Sequence, residues 1–268
     1  MMWHNTNKIA IDIGGSGIRW VTMTGGRQSL LRNGPIDSMN SLVQMIRLSF
    51  RDGNVGGIAL SIPGFVNSEK GEVLFCRSAP WLKGNLRGAM QREFPNATIH
   101  IVNDGEAHAL SLLKDPRTRL GAINVSIGSA IGFGVLDIHG KPIRSASGTN
   151  WDIGEFKITT RSDNQAIWWA VGTNGLRELE ERVYSGKQRE AYNHFGYRVA
   201  ILLSQLAVIF RPNTIGLSGG IISNGWSAME ETVRTNFIRP PELNPQIIKS
   251  NFEEAAIAGL FTLLERRV

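Results

Sequence analysis

The sequence predicts an α/β chain in two halves, and three observations predict it. A glycine-rich turn follows an apolar strand in KIAIDIGGSGIR at 8–19. A second such turn stands in INVSIGSAIGFGVLDIHG at 123–140. Around them, strand patterns at 8–13, 18–24, 29–33, 57–62, 72–76, 98–102, 122–127 and 132–137 alternate with helical patterns at 38–50, 85–94, 105–114, 174–185, 188–211, 225–237 and 252–267. Strands that precede helices in several units imply an α/β fold. Since each half opens with strand, glycine turn and strand, the expected division is a small domain over 1–110 completed by the last helix at 252–268, and a larger one over 111–251. The two turns are then expected to face one cleft.

In the first turn, 9–13 read as a buried strand, and Gly14, Gly15 and Gly17 can take backbone angles closed to other residues. An isolated GGxG is ordinarily just a hairpin turn. The run is not GxxxxGK[ST], and it leads into a strand where a dinucleotide-binding turn opens a helix, so both of those fingerprints are excluded. What remains is a tip of backbone N–H groups with the Ser16 hydroxyl, a nest that can hold phosphate oxygens. A carboxylate beside phosphates needs a cation between them, so Asp12 calls for Mg²⁺.

Composition bounds the rest. The chain of 268 residues, 42% apolar and 19% charged, can bury a substantial core. Its net charge of +6 suits anionic ligands, but the basic residues are scattered, which speaks against a nucleic-acid partner. One cysteine, Cys76 in the strand-like EVLFC, excludes an internal disulfide and a multi-cysteine zinc site and reads as a packed thiol. The start, MMWHNTNK, has no apolar core of a signal peptide. The most apolar helical stretch, at 199–210, is too short to span a bilayer and carries Ser204 and Gln205. A cytoplasmic protein with no membrane partner is expected.

Between the halves stands IHIVNDGEAHAL, a strand that ends at Asn103 and Asp104 where a helix begins. Alone, Asp104 reads as a helix N-cap. The end of a parallel strand is also where open α/β folds bind ligands, which makes it a catalytic candidate.

IAIDIGGSGI, GIALSIPGFV, IVNDGEAHAL, SIGSAIGFGVLDIHGKPIR, GTNWDIGEF, EERVYSG and IGLSGGI stand in the order and approximate spacing of the bacterial ROK (repressor, ORF, kinase) sugar kinases, which this chain resembles over nearly its whole length. The resemblance implies the actin-like ATPase (ribonuclease H-like) fold, two domains flanking a cleft, a homodimer, and ATP with Mg²⁺ as cofactors. It implies that Asp12, Gly14, Gly15 and Ser16 form the first phosphate loop, with Asp12 the Mg²⁺ residue, directly or through water. Gly128 and Ser129 match the second loop, and Gly219 and Gly220 the adenosine turn. Asn103 and Asp104 match the pair that holds the sugar and takes the proton from the attacking hydroxyl, with Asp152, Glu155 and Glu181 the further sugar contacts. Phosphoryl transfer fits these roles, since it asks for positioning and charge neutralisation of the donor and one carboxylate to deprotonate the acceptor.

Departures from the family pattern also carry information. Asp152 and Glu155 stand where the family has Glu and His in GEIGH, which leaves the sugar open. The following segment, FKITTRSDNQAIWWAVGTNG, has neither cysteine nor histidine, so no structural zinc is expected, and Trp168 and Trp169 are candidates to fill the space by packing. In the second turn, GSAIGFG, Ala130 and Phe133 are expected to add bulk near the donor. His4, His100, His108, His139 and His194 show no paired ligand spacing and read as surface residues or supports of other side chains. The expected activity is ATP-dependent phosphorylation of a hexose or amino sugar on its 6-hydroxyl with Asp104 as base. The alternatives are a non-catalytic sugar-sensing pseudokinase and a polyphosphate-dependent glucokinase. A repressor is not expected, because only seven residues precede Lys8.

Overall fold

The computed structural model describes residues 7–14, 17–50, 54–159, 164–239, 241–252 and 254–266. The chain divides into two compact units, one of Met1–Lys114, Arg144–Asn150 and Ala256–Val268, the other of Asp115–Ile143 and Trp151–Ala255. Residues Arg144–Asn150, read from the sequence as part of the second half, belong to unit 1. Nothing in their composition marks the excursion; the contacts that fasten them do.

Unit 1 begins with β1 (Lys8–Gly14) and β2 (Gly17–Thr24), followed by β3 (Arg27–Gln28), β4 (Arg32–Gly34), α1 (Met39–Leu48) and β5 (Gly57–Ile62). β6 (Phe65–Asn67), β7 (Glu72–Phe75), β8 (Gly84–Asn85), α2 (Leu86–Glu93), β9 (Thr98–Asn103) and α3 (Asp104–Ser111) complete the run. The main sheet has the order β3-β2-β1-β5-β9, with β4 also on β2. β2 is antiparallel to β1, whereas β5 and β9 run parallel to it. β1 and β5 are buried on both faces, which is why their sequences are almost continuously apolar. Ile9, Ile11 and Ile13 point to one core with α1 and α2, while Ala10 and Ala59 on the opposite face meet Val102, Ala107, Leu260 and Phe261.

Unit 2 runs β10 (Ala122–Ile127), β11 (Ile131–Leu136), β12 (Pro142–Ile143), β13 (Lys157–Thr159), β14 (Asn164–Ala166), α4 (Ile167–Ala170), α5 (Thr173–Glu178), α6 (Gln188–Phe210), β15 (Thr214–Ser218), α7 (Gly220–Asn236) and β16 (Gln246–Lys249). Its sheet order, β12-β11-β10-β15-β16, repeats the strand senses of unit 1: two antiparallel neighbours on one side of the first strand and two parallel ones on the other. The last helix, α8 (Ala255–Glu265), supplies Leu260, Phe261 and Leu264 to the core of unit 1.

Several boundaries differ from the sequence reading. The strand expected at 29–33 is two short pieces, β3 and β4, and Leu30 between them is 88% exposed, so its hydrophobicity reports no burial. The helix expected at 174–185 is α5 followed by a wider turn of π type over Leu179–Val183. α7 starts five residues before the pattern suggests, because Gly225, which reads as a breaker, is there for packing: a Cβ on it would lie 2.1 Å from the Tyr192 ring. Among the described residues no helix is long and apolar enough to cross a membrane.

The two helices under the small-residue face of the first sheet touch backbone to backbone. A Cβ on Gly259 of α8 would fall 1.8 Å from the Ala107 carbonyl oxygen of α3. Gly259→Ala is therefore expected to destabilise unit 1 by about 1–3 kcal/mol, the usual cost of overpacking, despite alanine's better helix propensity. Denaturant unfolding checks this, and a variant as stable as the parent contradicts the close approach.

Candidate active site

The site in unit 1 is built by strand register. Asp12, the fifth residue of β1, lies opposite Arg19 on β2 and opposite Ser61 on β5. Its carboxylate is 3% exposed, and both partners reach it: Arg19 Nη2 donates to Oδ2 at 2.5 Å and the Ser61 hydroxyl donates to Oδ1. A buried carboxylate is tolerable only when paired and hydrogen-bonded, and the neighbouring strands supply both.

β9 ends and α3 begins next to this group. Asn103, not Asp104, is the N-cap: its Oδ1 accepts from the Gly105 amide at 2.8 Å, and Asp104 is the first helical residue. The cap reading of Asp104 fails because Asn103 already holds the extended backbone a cap needs. The Asn103 amide nitrogen donates to the carbonyls of Gly64, at 3.0 Å, and Ile62, at 3.4 Å. Asn103 thus ties the loop after β5 to the start of α3, with one Oδ1 lone pair left. The close turn at Gly64 needs its glycine, since φ is +104° and a Cβ would stand 2.3 Å from the Phe75 oxygen.

Asp104 stands outside the cap and is half-buried, its Oδ1 sharing the Gly105 amide with Asn103 at 2.9 Å. Burial first, and then the negative charge of Asp12, push its pKa up to about 6, against the opposing hydrogen bonds of Gly105 and Asn103. One turn on, His108 is pushed down to about 4 by burial, with the Asp12 charge opposing and Arg19 assisting, so the imidazole is neutral near pH 7. The cluster is therefore one acid paired with a guanidinium, one acid balanced near neutrality and one neutral ring.

In unit 2, the turn between β10 and β11 contains Gly128 and Ser129, with Ser129 exposed. The Gly128 carbonyl accepts from the Thr173 amide at 3.0 Å and its hydroxyl at 3.1 Å, which pins the turn to the start of α5. Gly219 joins β15 to α7 at φ +93°, and a Cβ there would come within 2.5 Å of the Ile127 carbonyl oxygen, so only glycine fits against β10. Phe133 corrects an expectation: it points away from the turn into the core against Phe210, ring centroids 5.0 Å apart, because its β11 position alternates inward. Asp152 and Glu155 are exposed on one loop, where Asp152 Oδ1 accepts from the Gly154 amide at 3.0 Å. Trp168 hydrogen-bonds the Gly154 carbonyl through its amide, so the tryptophan stretch braces that loop. Glu181 lies in the π-type turn, 67% exposed, with Arg177 at 4.0 Å.

Gly14 closes the β1–β2 ladder against Gly17, while Gly15 and Ser16 lie outside the described residues, as does part of the segment expected to be free of zinc. Among the described residues no group of three or more His, Cys, Asp or Glu gathers around a metal position. Mg²⁺ does not need such a group, because it keeps its waters and takes one or two carboxylates plus phosphate oxygens. Asp12 fits that mode: each oxygen retains a lone pair, and Arg19 beside it is accessible enough to yield or share the charge.

A profile of the ROK family matches residues 8–168. The chain belongs to the ROK family. The xylose repressor of Caldicellulosiruptor bescii is 29% identical over 109 residues, 40% of this chain and 27% of that protein, so the chain spans about a quarter of that repressor's length. A solved structure of a candidate sugar kinase from Cytophaga hutchinsonii superposes with a TM-score of 0.81 at 19% identity, covering 97% of this chain and 100% of that one. The ROK glucokinase of Streptomyces griseus, solved with glucose and AMPPNP, superposes with a TM-score of 0.75 at 16% identity over 96% and 98% of the two chains. The fold is accordingly that of the actin-like ATPases.

Sequence reasoning missed Arg19 and Ser61, and named His108 only among surface or supporting residues without tying it to Asp104. Two of these links were within reach: a hairpin closing at Gly14 and Gly17 sets residue 12 opposite 19, and His108 is four residues after Asp104 on one helix face.

The raised pKa of Asp104 has a sign. The folded state binds its proton more tightly than the unfolded chain, so the group's penalty appears as pH rises from about 4 to 6 and is complete above that. Asp104→Asn is expected to be more stable than the parent by up to about 3 kcal/mol at pH 7, with the difference shrinking towards zero near pH 4. Unfolding free energies of both proteins at a series of pH values test this; a difference independent of pH contradicts it.

Proposed function

We propose that this ROK-family chain transfers the γ-phosphoryl group of ATP to the 6-hydroxyl of a hexose or amino sugar, with Asp104 as general base. The observation that carries the reading is Asp104 itself: a carboxylate at the end of a parallel strand, released from capping, with a pKa of about 6. A base balanced near the working pH is deprotonated often enough to accept a hydroxyl proton and basic enough to want it. Asp104 takes the proton from the sugar oxygen as that oxygen attacks phosphorus and the bond to the nucleoside diphosphate breaks. Asp12 would hold Mg²⁺, directly or through water, and the ion would supply charge neutralisation at the donor's phosphates. Gly14, Gly15 and Ser16, together with Gly128 and Ser129, receive the phosphates, and Gly219 and Gly220 the adenosine. Asn103 contributes its free lone pair to a sugar hydroxyl, and Asp152, Glu155 and Glu181 are the further sugar contacts. A homodimer working in the cytoplasm, on a small sugar and a nucleotide, completes the proposal. The glucose and AMPPNP bound by the Streptomyces griseus glucokinase support it.

A second reading, a sugar sensor without turnover, is favoured by two observations: the kinship to a xylose repressor, and Glu155 where the family has a histidine. A coupled assay across hexoses and acetylated amino sugars, with ATP and polyphosphate in parallel, separates the two. Turnover with ATP supports the kinase, and sugar binding without turnover by either donor supports the sensor.

For the kinase, Asp104→Asn is expected to lower kcat by about 10²- to 10⁴-fold, and the parent's kcat/KM is expected to fall below an apparent pKa of about 6. Near-parental turnover of the variant removes Asp104 as base. Glu155→His is expected to reorder the sugars, with individual preferences moving by about 0.5–1.5 kcal/mol, the net worth of one hydrogen bond. An unchanged ranking takes Glu155 out of the sugar contacts.

A further inference from the structure

Arg144–Asn150 leaves unit 2 after Ile143 and returns to it at Trp151, and its two flanking residues are joined: the Trp151 indole N–H donates to the Ile143 carbonyl at 2.7 Å. Within the excursion the Ser145 amide donates to the Thr149 carbonyl and the Gly148 amide to the Ser145 carbonyl, both at 2.9 Å. The hydroxyls of Ser145, Ser147 and Thr149 close a triangle with sides of 2.8–2.9 Å. The segment is thus an internally organised loop.

Its fastening to unit 1 is concentrated at one charged pair. Glu106 is 5% exposed, and its carboxylate takes three donors: Arg144 Nη2 at 2.6 Å, Arg144 Nε at 3.1 Å and the Ser68 hydroxyl at 2.9 Å. The Arg144 fork is bidentate, the geometry that fixes direction as well as distance. Burial works against the charge on Arg144, but Glu106, helped by Glu69, more than offsets it and holds the guanidinium pKa above its ordinary value. At the other end of the loop, Asn150 exchanges hydrogen bonds with the Val66 backbone, and Thr149 bridges to Asn67. Arg87, half-buried nearby, donates to the carbonyls of Ser68 and Glu69 and so steadies the backbone behind the pair.

Two facts of position give this clamp a consequence. Glu106 sits two residues after Asp104 in the same first turn of α3. Asp152 and Glu155 begin two residues beyond Asn150, where the clamped loop ends. We propose that Glu106 and Arg144 are a positioning pair for the acceptor sugar, fastening the chain that leads into Asp152 and Glu155 to the helix that carries the base. The proposal rests on the sugar-kinase reading for its kinetic arm only. Neither residue touches the reacting atoms; a carboxylate misplaced by about 1 Å is enough to lose as much as 10²-fold in use of the substrate.

The test compares the parent with Glu106→Gln, Arg144→Ala and Arg144→Lys. Amide hydrogen exchange on the sugar-free proteins is expected to speed up by about tenfold or more over 144–152 in Arg144→Ala, with β10 and β11 unchanged, and to be largely restored in Arg144→Lys. With glucose, mannose and N-acetylglucosamine as acceptors, KM for the best sugar is expected to rise about 10- to 100-fold in Arg144→Ala while KM for ATP moves by no more than about twofold. Glu106→Gln, which keeps shape and loses charge, falls between. Unchanged exchange over 144–152, or sugar and ATP constants that shift together, overturns the positioning role. Should Arg144→Ala fail to fold, Glu106→Gln and Arg144→Lys carry both measurements. If the parent phosphorylates none of the sugars, the kinase reading is what has failed, and the exchange experiment alone decides the clamp.

Discussion

The buried charge of Asp12 organises this molecule. A carboxylate in the middle of a sheet has lost its water, and the neighbouring strands answer it in kind: a guanidinium from one side and a hydroxyl from the other. Even so paired, its charge is felt at the next strand end. It raises the pKa of Asp104 on top of burial, and it opposes the burial that keeps His108 neutral. The chemistry of the strand ends follows from one acid that cannot leave.

Unit 2 repeats the scaffold without the charge. Ser126 of β10 has the register that Asp12 has in β1: it faces Gly132 where Asp12 faces Arg19, and Ser218 where Asp12 faces Ser61. Next to it, Asn124 donates to the Ser218 hydroxyl, so polarity persists in neutral form. A neutral centre exerts no field on a neighbouring acid, whereas the charge of Asp12 adds to the burial that raises the pKa of Asp104.

Much of this could be read beforehand. The period-two isoleucines of β1, the paired glycine turns and the strand-to-helix step at Asn103 and Asp104 are local signals, and local signals survive into the fold. Leu30 and Gly225 misled because their role depends on what lies beside them in space: nothing covers the first, and a tyrosine ring presses on the second. Phe133 misled by face, since adjacency to a glycine turn does not say which way a strand residue points. Glu106 and Arg144 were invisible for a different reason. They are 38 residues apart, and neither stands in a pattern that names the other.

The first turn of α3 shows how tightly the roles are packed. Asn103 must accept from Gly105 to start the helix, and its amide must hold the Ile62–Gly64 loop. Asn103 does the capping, Asp104 only shares the Gly105 amide, and burial outweighs that bond and leaves the carboxylate destabilised as an anion. Glu106, rotated by two positions, faces Ser68 and Arg144, and His108 returns to the side of Asp104. An N-cap swap between residues 103 and 104 would therefore do more than weaken a helix by about 1 kcal/mol. It would also release the Asn103 amide's hold on the Ile62–Gly64 loop, which makes the order Asn then Asp, and not merely the presence of both, the requirement of this strand end.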